Sequence, residues 1–381
     1  MILHLTQSLN PTQSGIARCV LDLHRESLRQ GQDSRCLGFG APDSCQEQGV
    51  ELFSQEFLPA AFYSAGFRRR VHELAPKIKS LHVHGLWVYP NLLAGQTART
   101  YGVPLVIHPH GMLEPWALNR SRLKKRLVRF FFEDHNFRNA TAWRALTLAE
   151  ADQIRQLVPR AEIRIIPNGI DLNPIEKHVE REVVEHRWPE LGGKKIILFL
   201  GRLHVKKGLD LLIQSWKRLS PQFPQWHLVI AGPDDGFRGP LITLIENENL
   251  GHRVTLAGPV KGEMKTALFQ HCDIFVLPSH SEGFSVAVLE AMAASRPVLV
   301  TTGCHLEEVV VEKCGMVCEA EADSWTRAMH AFLTTTDQNR SEMGARGGHL
   351  VRKRFLWPAI TEQFIEFTKT MNRTEIGQSK P

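Results

Sequence analysis

Residues 273–301 read DIFVLPSHSEGFSVAVLEAMAASRPVLVT, and their pattern predicts the local fold. The apolar run that ends at Leu277 predicts a buried strand, and Gly283 permits a tight turn after it. Ser285 suits the N-cap of the helix that follows. The apolar run from Pro297 predicts a second strand. A strand, a helix and a strand in this order predict a βαβ unit of a parallel sheet.

The same alternation of apolar runs and helical stretches continues in both directions along the chain. Strand candidates begin at residues 2, 34, 81, 104, 143 and 162 in the first half and at 195, 226, 253, 273, 297 and 315 in the second. We therefore predict an α/β protein of two facing, doubly wound Rossmann-like domains with ligands in an interdomain cleft. The predicted domains are residues 1–172 and 173–355, and residues 356–381 form a helix that crosses back to the first domain, followed by a tail.

The composition indicates an ordinary soluble protein with a preference for anionic partners. The 381 residues carry a net charge of +6, and 43% are hydrophobic and 23% charged. Nucleic acid, an acidic membrane surface and a phosphate-rich substrate would each suit this charge. We expect no nucleic acid, because no nucleic-acid-binding motif accompanies the charge. The start lacks the pattern of a secretory signal, and no apolar run approaches the roughly 20 residues that span a bilayer. We expect a cytoplasmic location.

The seven cysteines are expected to be free thiols, because they are odd in number and scattered. Cys304, His305, Cys314 and Cys318 could be zinc ligands, but they lack paired C-x-x-C spacing. We expect no metal there. The chain also lacks a D-x-D pair, a phosphate loop of the G-x-x-x-x-G-K-[ST] type and a G-x-S-x-G elbow.

Glu282 and Glu290 flank the predicted turn and helix start, where carboxylates and backbone N–H groups could bind one polar ligand. A carboxylate at Glu282 can accept hydrogen bonds from sugar hydroxyls, and Glu290, two helical turns on, can reach a ribose diol. The N–H groups of Phe284, Ser285 and Val286 can hold a phosphate at the positive helix end. The alternative is a capping carboxylate and a solvated helix glutamate.

A second block, KIILFLGRLHVKKG at residues 195–208, predicts a buried strand that delivers basic residues into a loop. Arg202 offers a bidentate fork and Lys207 a mobile point charge. Together they can neutralise the charge on a departing diphosphate without a metal ion. The alternative is a solvated basic loop. This alternative accounts well for Lys206, but poorly for Arg202, which comes at the end of the strand.

These two blocks resemble those of glycosyltransferase family 4, whose members have the GT-B fold. The resemblance extends over most of the chain and includes Ser14-Gly15, His110-Gly111 and the turn at residues 167–171. It implies that Arg202 and Lys207 hold the donor diphosphate. It also implies a sugar donor bound as a substrate, no cofactor, and retention of anomeric configuration.

The resemblance assigns further roles residue by residue. Glu282 would lie near the transferred sugar, Glu290 would bind the nucleotide ribose, and Gly15 would bring backbone close to the phosphates. His110 would contact the donor sugar near the reacting carbon. We favour His110 over His108 because His110 ends its strand before a glycine, although the alternation of a strand puts both on one face. Gly283 would belong to the same donor site.

Residues 116–138 interleave basic and apolar side chains in a helical pattern. The basic residues are Arg120, Arg122, Lys124, Lys125, Arg126 and Arg129, and the apolar ones are Leu123, Leu127, Phe130 and Phe131. Such a helix suits anionic lipid headgroups at the inner face of a membrane, or an acidic glycan. The alternative is a surface helix whose apolar stripe packs on its own domain.

The residues and this resemblance together predict a retaining, metal-independent transferase. It would move a sugar from a nucleoside-diphosphate sugar to a saccharide or lipid-linked acceptor, in cell-surface polysaccharide synthesis. Two alternatives stay open. A GT-B epimerase would act on the nucleotide sugar itself. A non-catalytic homologue would bind the nucleotide sugar in support of another transferase.

Overall fold

The computed structural model describes residues 1–11, 14–41, 44–56, 62–119 and 122–377. The chain divides into two compact units, Met1–Gly169 with Trp357–Pro381, and Ile170–Leu356. The strands are β1 Ile2–Thr6, β2 Ser34–Phe39, β3 Val50–Phe53, β4 Ser80–His84, β5 Leu105–His108, β6 Ala142–Ala145, β7 Ile163–Ile165, β8 Lys195–Leu200, β9 Trp226–Ala231, β10 Val254–Gly258, β11 Ile274–Leu277, β12 Val298–Thr301 and β13 Gly315–Cys318.

Helices follow most of these strands. They are α1 Gly15–Arg29, α2 Ala65–Leu74, α3 Tyr89–Tyr101, α4 Pro115–Asn119, α5 Arg122–Val128, α6 Asp134–Asn139, α7 Leu148–Leu157, α8 Asn173–Glu176, α9 Glu182–Arg187, α10 Leu209–Leu219, α11 Arg238–Asn247, α12 Gly262–His271, α13 Val286–Ala293, α14 Glu308–Val311, α15 Ala322–Thr334, α16 Asp337–Arg354 and α17 Trp357–Gly377. A π-helical turn, Arg129–Glu133, joins α5 to α6.

Each unit contains one parallel sheet with the strand order of a Rossmann fold. The first sheet runs β3-β2-β1-β4-β5-β6-β7 and the second β10-β9-β8-β11-β12-β13. The central strands are buried on both faces, as the apolar runs of the sequence predict. All twelve predicted strands are present, and the prediction of an α/β fold is confirmed. Strand β3 was not predicted, because its four residues are only half-buried and lie at a sheet edge.

The strand order reverses beside β1 in the first sheet and beside β8 in the second. The loops that follow the two neighbouring strands at this point therefore run to opposite sides of the sheet. In the second unit this switch point lies between β8 and β11. Ligands of doubly wound sheets bind at the carboxyl ends of strands at such a point. The loop after β8 begins at Gly201, and the loop after β11 begins at Pro278.

Helix α17 belongs to the first unit. Its apolar side chains Trp357, Ile360 and Phe364 pack with Ile2 and Val106 in one buried cluster. The same helix therefore covers one face of the sheet that contains β1 and β5.

Close backbone approach at the second switch point requires glycine. Gly208 has φ +64°, and a Cβ there would lie 2.1 Å from the carbonyl oxygen of Pro278. Gly193 has the nearly identical φ of +65°, but a Cβ there would meet nothing within 4 Å. The two glycines therefore share one backbone conformation and differ in their surroundings.

We predict that Gly208→Ala lowers the free energy of unfolding well beyond the matched control Gly193→Ala. Each substitution costs about 1–2 kcal/mol for the left-handed backbone, and the contact with Pro278 adds about 1–3 kcal/mol. Denaturant unfolding of both variants measures the difference. Equal losses would contradict the close approach of the two loops.

Candidate active site

The two loops at the switch point of the second unit are joined by backbone contacts. A short 3-10 turn, Val205–Lys207, follows β8. The N–H of His280 donates to the carbonyl of Lys206 at 2.8 Å, and the N–H of Glu282 donates to the carbonyl of Gly303 at 2.8 Å. The loop that carries Glu282 is therefore held against the loops that follow β8 and β12.

Lys207 and Glu282 form a buried ion pair. The Lys207 ammonium donates to Oε1 of Glu282, and the Ser279 hydroxyl donates to the same oxygen. The side chains are only 11% and 7% exposed. The structure thus brings together two predicted site residues that lie 75 positions apart in the chain.

The Glu282 carboxylate of this pair is ionised at neutral pH. Burial opposes ionisation of Glu282, but the ammonium groups of Lys207 and Lys206, with the hydrogen bonds from Lys207 and Ser279, hold its pKa below the ordinary value. An ammonium has three donors and a carboxylate about four acceptor positions, so both groups retain capacity for a ligand.

Arg202 lies at the end of β8 and is mostly exposed. Its Nη1 donates to Oδ2 of Asp235 at 2.6 Å, and the two side chains are 58% and 38% exposed. An exposed pair of this kind contributes about 0–1 kcal/mol. The guanidinium can therefore exchange this carboxylate for a phosphate at little cost. The sequence alone did not indicate Asp235.

Glu290 lies on α13 and is also paired. Its Oε1 accepts a hydrogen bond from Nζ of Lys265 at 2.7 Å, and its side chain is 11% exposed. Lys265 lies on α12 and was not predicted, because a single lysine in an amphipathic helix carries no distinguishing pattern. Glu290 is therefore not the solvated helix glutamate of the alternative interpretation.

The start of α13 presents backbone N–H groups next to the ion pair. The chain bends at Gly283, and Ser285 is the N-cap residue before Val286. The Ser285 side chain makes no capping hydrogen bond. The first N–H groups of a helix, which here start at Val286, have no partner within the helix. The N–H groups of Phe284 and Ser285 come directly before them in the chain.

In the first unit, His110 follows β5 in a left-handed backbone conformation with φ +54°. The residue belongs to a set of histidines on one face of the sheet, which includes His108 as predicted. Nδ1 of His84 lies 3.0 Å from Nε2 of His110, and Nε2 of His84 lies 2.9 Å from Nδ1 of His4. The alternating pairs at 82, 84, 108 and 110 could have indicated this cluster.

The cluster is electrically neutral at physiological pH. Burial, and then the charge of the buried Arg144, lower the pKa of His110 to about 3. The pKa values of His84 and His108 are lowered for the same reasons, with neighbouring histidines contributing. The Arg144 guanidinium donates hydrogen bonds to the carbonyls of Ile166 and Pro167, and these bonds hold its charge in place.

Ring nitrogens of His84, His108 and His110 lie within 4.8 Å of one another and could in principle hold a cation. The rings of His108 and His110 are stacked with only 18° between their planes. The lone pair of a ring nitrogen lies in the plane of its ring, so the lone pairs of two nearly parallel, stacked rings do not converge on one ion. The charge of Arg144 further opposes a cation.

The cysteines considered as zinc ligands are free thiols. Burial raises the pKa of Cys304 to about 12 and that of Cys314 to about 11. These thiols are therefore protonated at neutral pH.

Gly15 is the first residue of α1. The Ser14 hydroxyl accepts a hydrogen bond from the N–H of Ala17 at 3.3 Å and caps the helix. A Cβ at Gly15 would meet nothing within 4 Å, so the space beside this backbone is open.

The basic helical segment exposes its apolar side chains. Leu123, Leu127, Phe130 and Phe131 are 75%, 59%, 83% and 74% exposed. The interpretation that this stripe packs on its own domain is therefore wrong. Arg120 and the side chain of Lys124 lie outside the described residues. In the part of the chain that the structure describes, no helix combines the length and apolarity needed to cross a bilayer.

Two family models match consecutive parts of the chain. The model described as glycosyl transferases group 1 matches residues 180–348. The model described as a glycosyl transferase 4-like domain matches residues 14–169. Together they extend over most of both units.

Two curated relatives align over about three quarters of their own length. A GDP-mannose:cellobiosyl-diphosphopolyprenol alpha-mannosyltransferase of Xanthomonas campestris is 26% identical over 309 residues, which are 77% of this chain and 76% of that protein. A D-inositol 3-phosphate glycosyltransferase of Xylanimonas cellulosilytica is 26% identical over 334 residues, which are 81% of this chain and 77% of that protein.

Solved structures share the fold. Sucrose-phosphate synthase from Thermosynechococcus elongatus superposes with a TM-score of 0.80 at 18% identity, over 98% of this chain and 100% of that one. Anabaena HepE in complex with UDP-glucose superposes with a TM-score of 0.77 at 21% identity, over 97% of this chain and 99% of that one. The predicted GT-B fold is thereby confirmed.

We predict that Lys207→Met destabilises the protein by about 3–5 kcal/mol at neutral pH, because it leaves the buried Glu282 charge without its partner. Adding Glu282→Gln should recover most of this loss. Urea unfolding of the two variants measures both effects. A Lys207→Met variant with the free energy of unfolding of the native protein would contradict the buried pair.

The deficit of Lys207→Met should also depend on pH. In the native chain the pKa of Glu282 is depressed, so its stabilising effect exists above its ordinary pKa of 4.5 and disappears as the pH falls through the lower folded value. In the variant, burial raises the pKa instead. The deficit should therefore shrink from about pH 8 to about pH 5, as the carboxylate takes up a proton.

Proposed function

The chain belongs to the group 1 glycosyl transferases of glycosyltransferase family 4, and on that premise we propose that it is a retaining, metal-independent transferase. The donor is a nucleoside-diphosphate sugar, and the acceptor is a saccharide or a lipid-linked saccharide of cell-surface polysaccharide synthesis. The observation that carries the proposal is the Lys207–Glu282 pair at the switch point of the second unit.

The proposed donor site combines three sources of positive charge. Lys207 and Arg202 supply two cations, and the start of α13 supplies N–H groups. Fixed charges of this kind stabilise the negative charge that develops on a departing diphosphate. A divalent cation has no required part in this arrangement, which supports metal independence.

The carboxylates have separate proposed roles. Glu282 would accept hydrogen bonds from hydroxyls of the transferred sugar, and Glu290 would take the ribose diol in exchange for Lys265. In the transfer, the acceptor oxygen bonds to the anomeric carbon, the bond from that carbon to the diphosphate breaks, and the hydroxyl proton passes to the diphosphate. Attack from the side on which the diphosphate leaves would retain the configuration.

A pocket in the first unit supports the proposed class of acceptor, a lipid-linked saccharide. A pocket of about 490 Å³ is lined by the apolar Trp87, Leu113, Pro115 and Leu118 and by the basic Arg122, Lys125, Arg126 and Arg129. Four cations beside an apolar wall suit an acceptor with phosphate and hydrocarbon parts. The relative from Xanthomonas campestris has such an acceptor in its name, a cellobiosyl-diphosphopolyprenol.

We further propose that the apolar stripe of α5 and the π-helical turn docks on an anionic bilayer. Four exposed apolar side chains of one segment are unusual for a free surface, and exposed basic residues accompany them. The protein would then work at the inner face of the membrane, where a lipid-linked acceptor is bound.

We predict that the protein binds one of UDP, GDP and ADP selectively in the presence of a chelator, as measured by isothermal titration. Arg202→Ala should weaken that binding by about 10- to 100-fold, the worth of a hydrogen bond to a charged group. Arg238→Ala, which removes another exposed arginine of the same unit, should leave it unchanged. Unaltered binding by the Arg202 variant would exclude the diphosphate role.

Product analysis with UDP-glucose and GDP-mannose separates the enzyme classes. A retaining transferase yields an α-linked product from an α-linked donor. An epimerase yields a changed sugar and free nucleotide without elongation of any acceptor, and a non-catalytic homologue yields no product.

We predict that the protein sediments with vesicles that contain phosphatidylglycerol and not with neutral phosphatidylcholine vesicles. Replacing Phe130 and Phe131 by serine, or Arg122 and Arg126 by glutamate, should weaken binding by roughly tenfold or more. Val310→Ser with Val311→Ser, which removes apolar side chains that are 56% and 73% exposed on α14, is the matched control. Equal binding by all variants would contradict the docking surface.

A further inference from the structure

Two buried histidines of the first unit and the partly exposed His110 form a hydrogen-bonded row that ends at His110. His4 on β1, His84 at the end of β4 and His110 after β5 are joined by nitrogen–nitrogen distances of 2.9 and 3.0 Å. His4 and His84 are 0% and 1% exposed. Each bond in such a row needs one protonated and one unprotonated nitrogen.

The rings carry one proton each. Burial is the largest cause that lowers the pKa values of His4, His84 and His110, and the charge of Arg144 acts in the same direction. With neutral rings, only two proton arrangements satisfy both hydrogen bonds of the row. The protons lie either on all three Nδ1 atoms or on all three Nε2 atoms.

The far end of the row distinguishes the two arrangements. Among the described residues, the buried Nε2 of His4 has no hydrogen-bond partner. With protons on Nε2, this atom would be a buried N–H without an acceptor. With protons on Nδ1, it is an unused lone pair, which proteins tolerate more readily than an unpaired N–H.

A second row on the same sheet face gives an internal comparison. Nε2 of His108 lies 3.0 Å from Nδ1 of His82, whose Nε2 lies 3.0 Å from the hydroxyl of Ser80. Here the buried nitrogen without a partner among the described residues is Nδ1 of His108. A buried N–H without an acceptor is avoided here only if the protons of this row lie on Nε2, the reverse of the first row.

We propose that His4 and His84 fix the proton of His110 on Nδ1, so that His110 meets its ligand as a neutral hydrogen-bond donor and not as a base. His4 and His84 are positioning residues that act through His110. The ligand atom opposite Nδ1 is then an acceptor, such as a hydroxyl oxygen of the donor sugar. Only this identity of the ligand rests on the proposed function.

The tautomers can be measured without any ligand. In the whole protein with 15N-labelled histidine rings, nitrogen shifts at neutral pH should show Nδ1–H for His4, His84 and His110 and Nε2–H for His82 and His108. Single histidine substitutions assign the signals. His110 with its proton on Nε2, or with both nitrogens protonated, would overturn the proposal whatever the protein binds.

A matched pair of variants tests the positioning role. His84→Leu removes the donor to His110, and His82→Leu removes an equally buried histidine of the same strand that bonds to His108 instead. In His84→Leu, the His110 signal should show a mixture of tautomers, whereas in His82→Leu it should stay on Nδ1. His84→Asn, whose amide can donate from near the place of Nδ1, should restore the native signal.

Binding measurements connect the tautomer with the sugar. Affinities for UDP-glucose and GDP-mannose, each relative to its own nucleoside diphosphate, isolate the contribution of the sugar. His84→Leu should reduce that contribution by about threefold to tenfold, the worth of one hydrogen bond, and His82→Leu should not. Equal reductions in both variants, with equal losses of thermal stability, would assign His84 a merely structural role and overturn the proposal. If the protein binds neither nucleotide sugar and none of UDP, GDP and ADP, the proposed function fails, and the nitrogen shifts still decide the tautomer.

Discussion

The buried ion pair between Lys207 and Glu282 is the interaction on which the second unit's site depends. Taking either charge out of water alone costs several kcal/mol, so each requires the other in place. That requirement is met only if the loops after β8 and β11 meet, and the sheet order places those strands side by side. Gly208 lets the backbone of one loop contact Pro278 in the other. The packing of these two loops and the charged groups of the site therefore depend on the same contact.

Much of this could be predicted from the sequence, because the relevant patterns are local. Buried central strands are continuous apolar runs, and parallel strands place the loops that follow them at one edge of the sheet. A strand that ends before Gly201-Arg202 and another that ends before Glu282 therefore point to one region, although many residues separate them. The order of strands, and with it the direct contact of Lys207 with Glu282, follows from pairing that no local pattern reports.

The features that escaped prediction depend on register and on surroundings. Asp235 and Lys265 are single charged residues whose partners come from distant elements. The row from His4 to His110 crosses three parallel strands diagonally. Strand pairing places His4 opposite His82 and His84 opposite His108, and each hydrogen bond of the row reaches the histidine two positions further along the next strand. The exposure of Phe130 and Phe131 could not be inferred either, since an amphipathic pattern has the same spacing whether its apolar stripe is covered or free.

Hydrogen–deuterium exchange of the whole protein with and without a saturating nucleoside diphosphate is the most direct test of the central claim, which places the donor at the switch point of the second unit. We expect slower exchange in the loop that contains Arg202 and Lys207 and in the segment from Glu282 to Glu290, with little change in α15 and α16. Protection that avoids both segments while the nucleotide binds would contradict it.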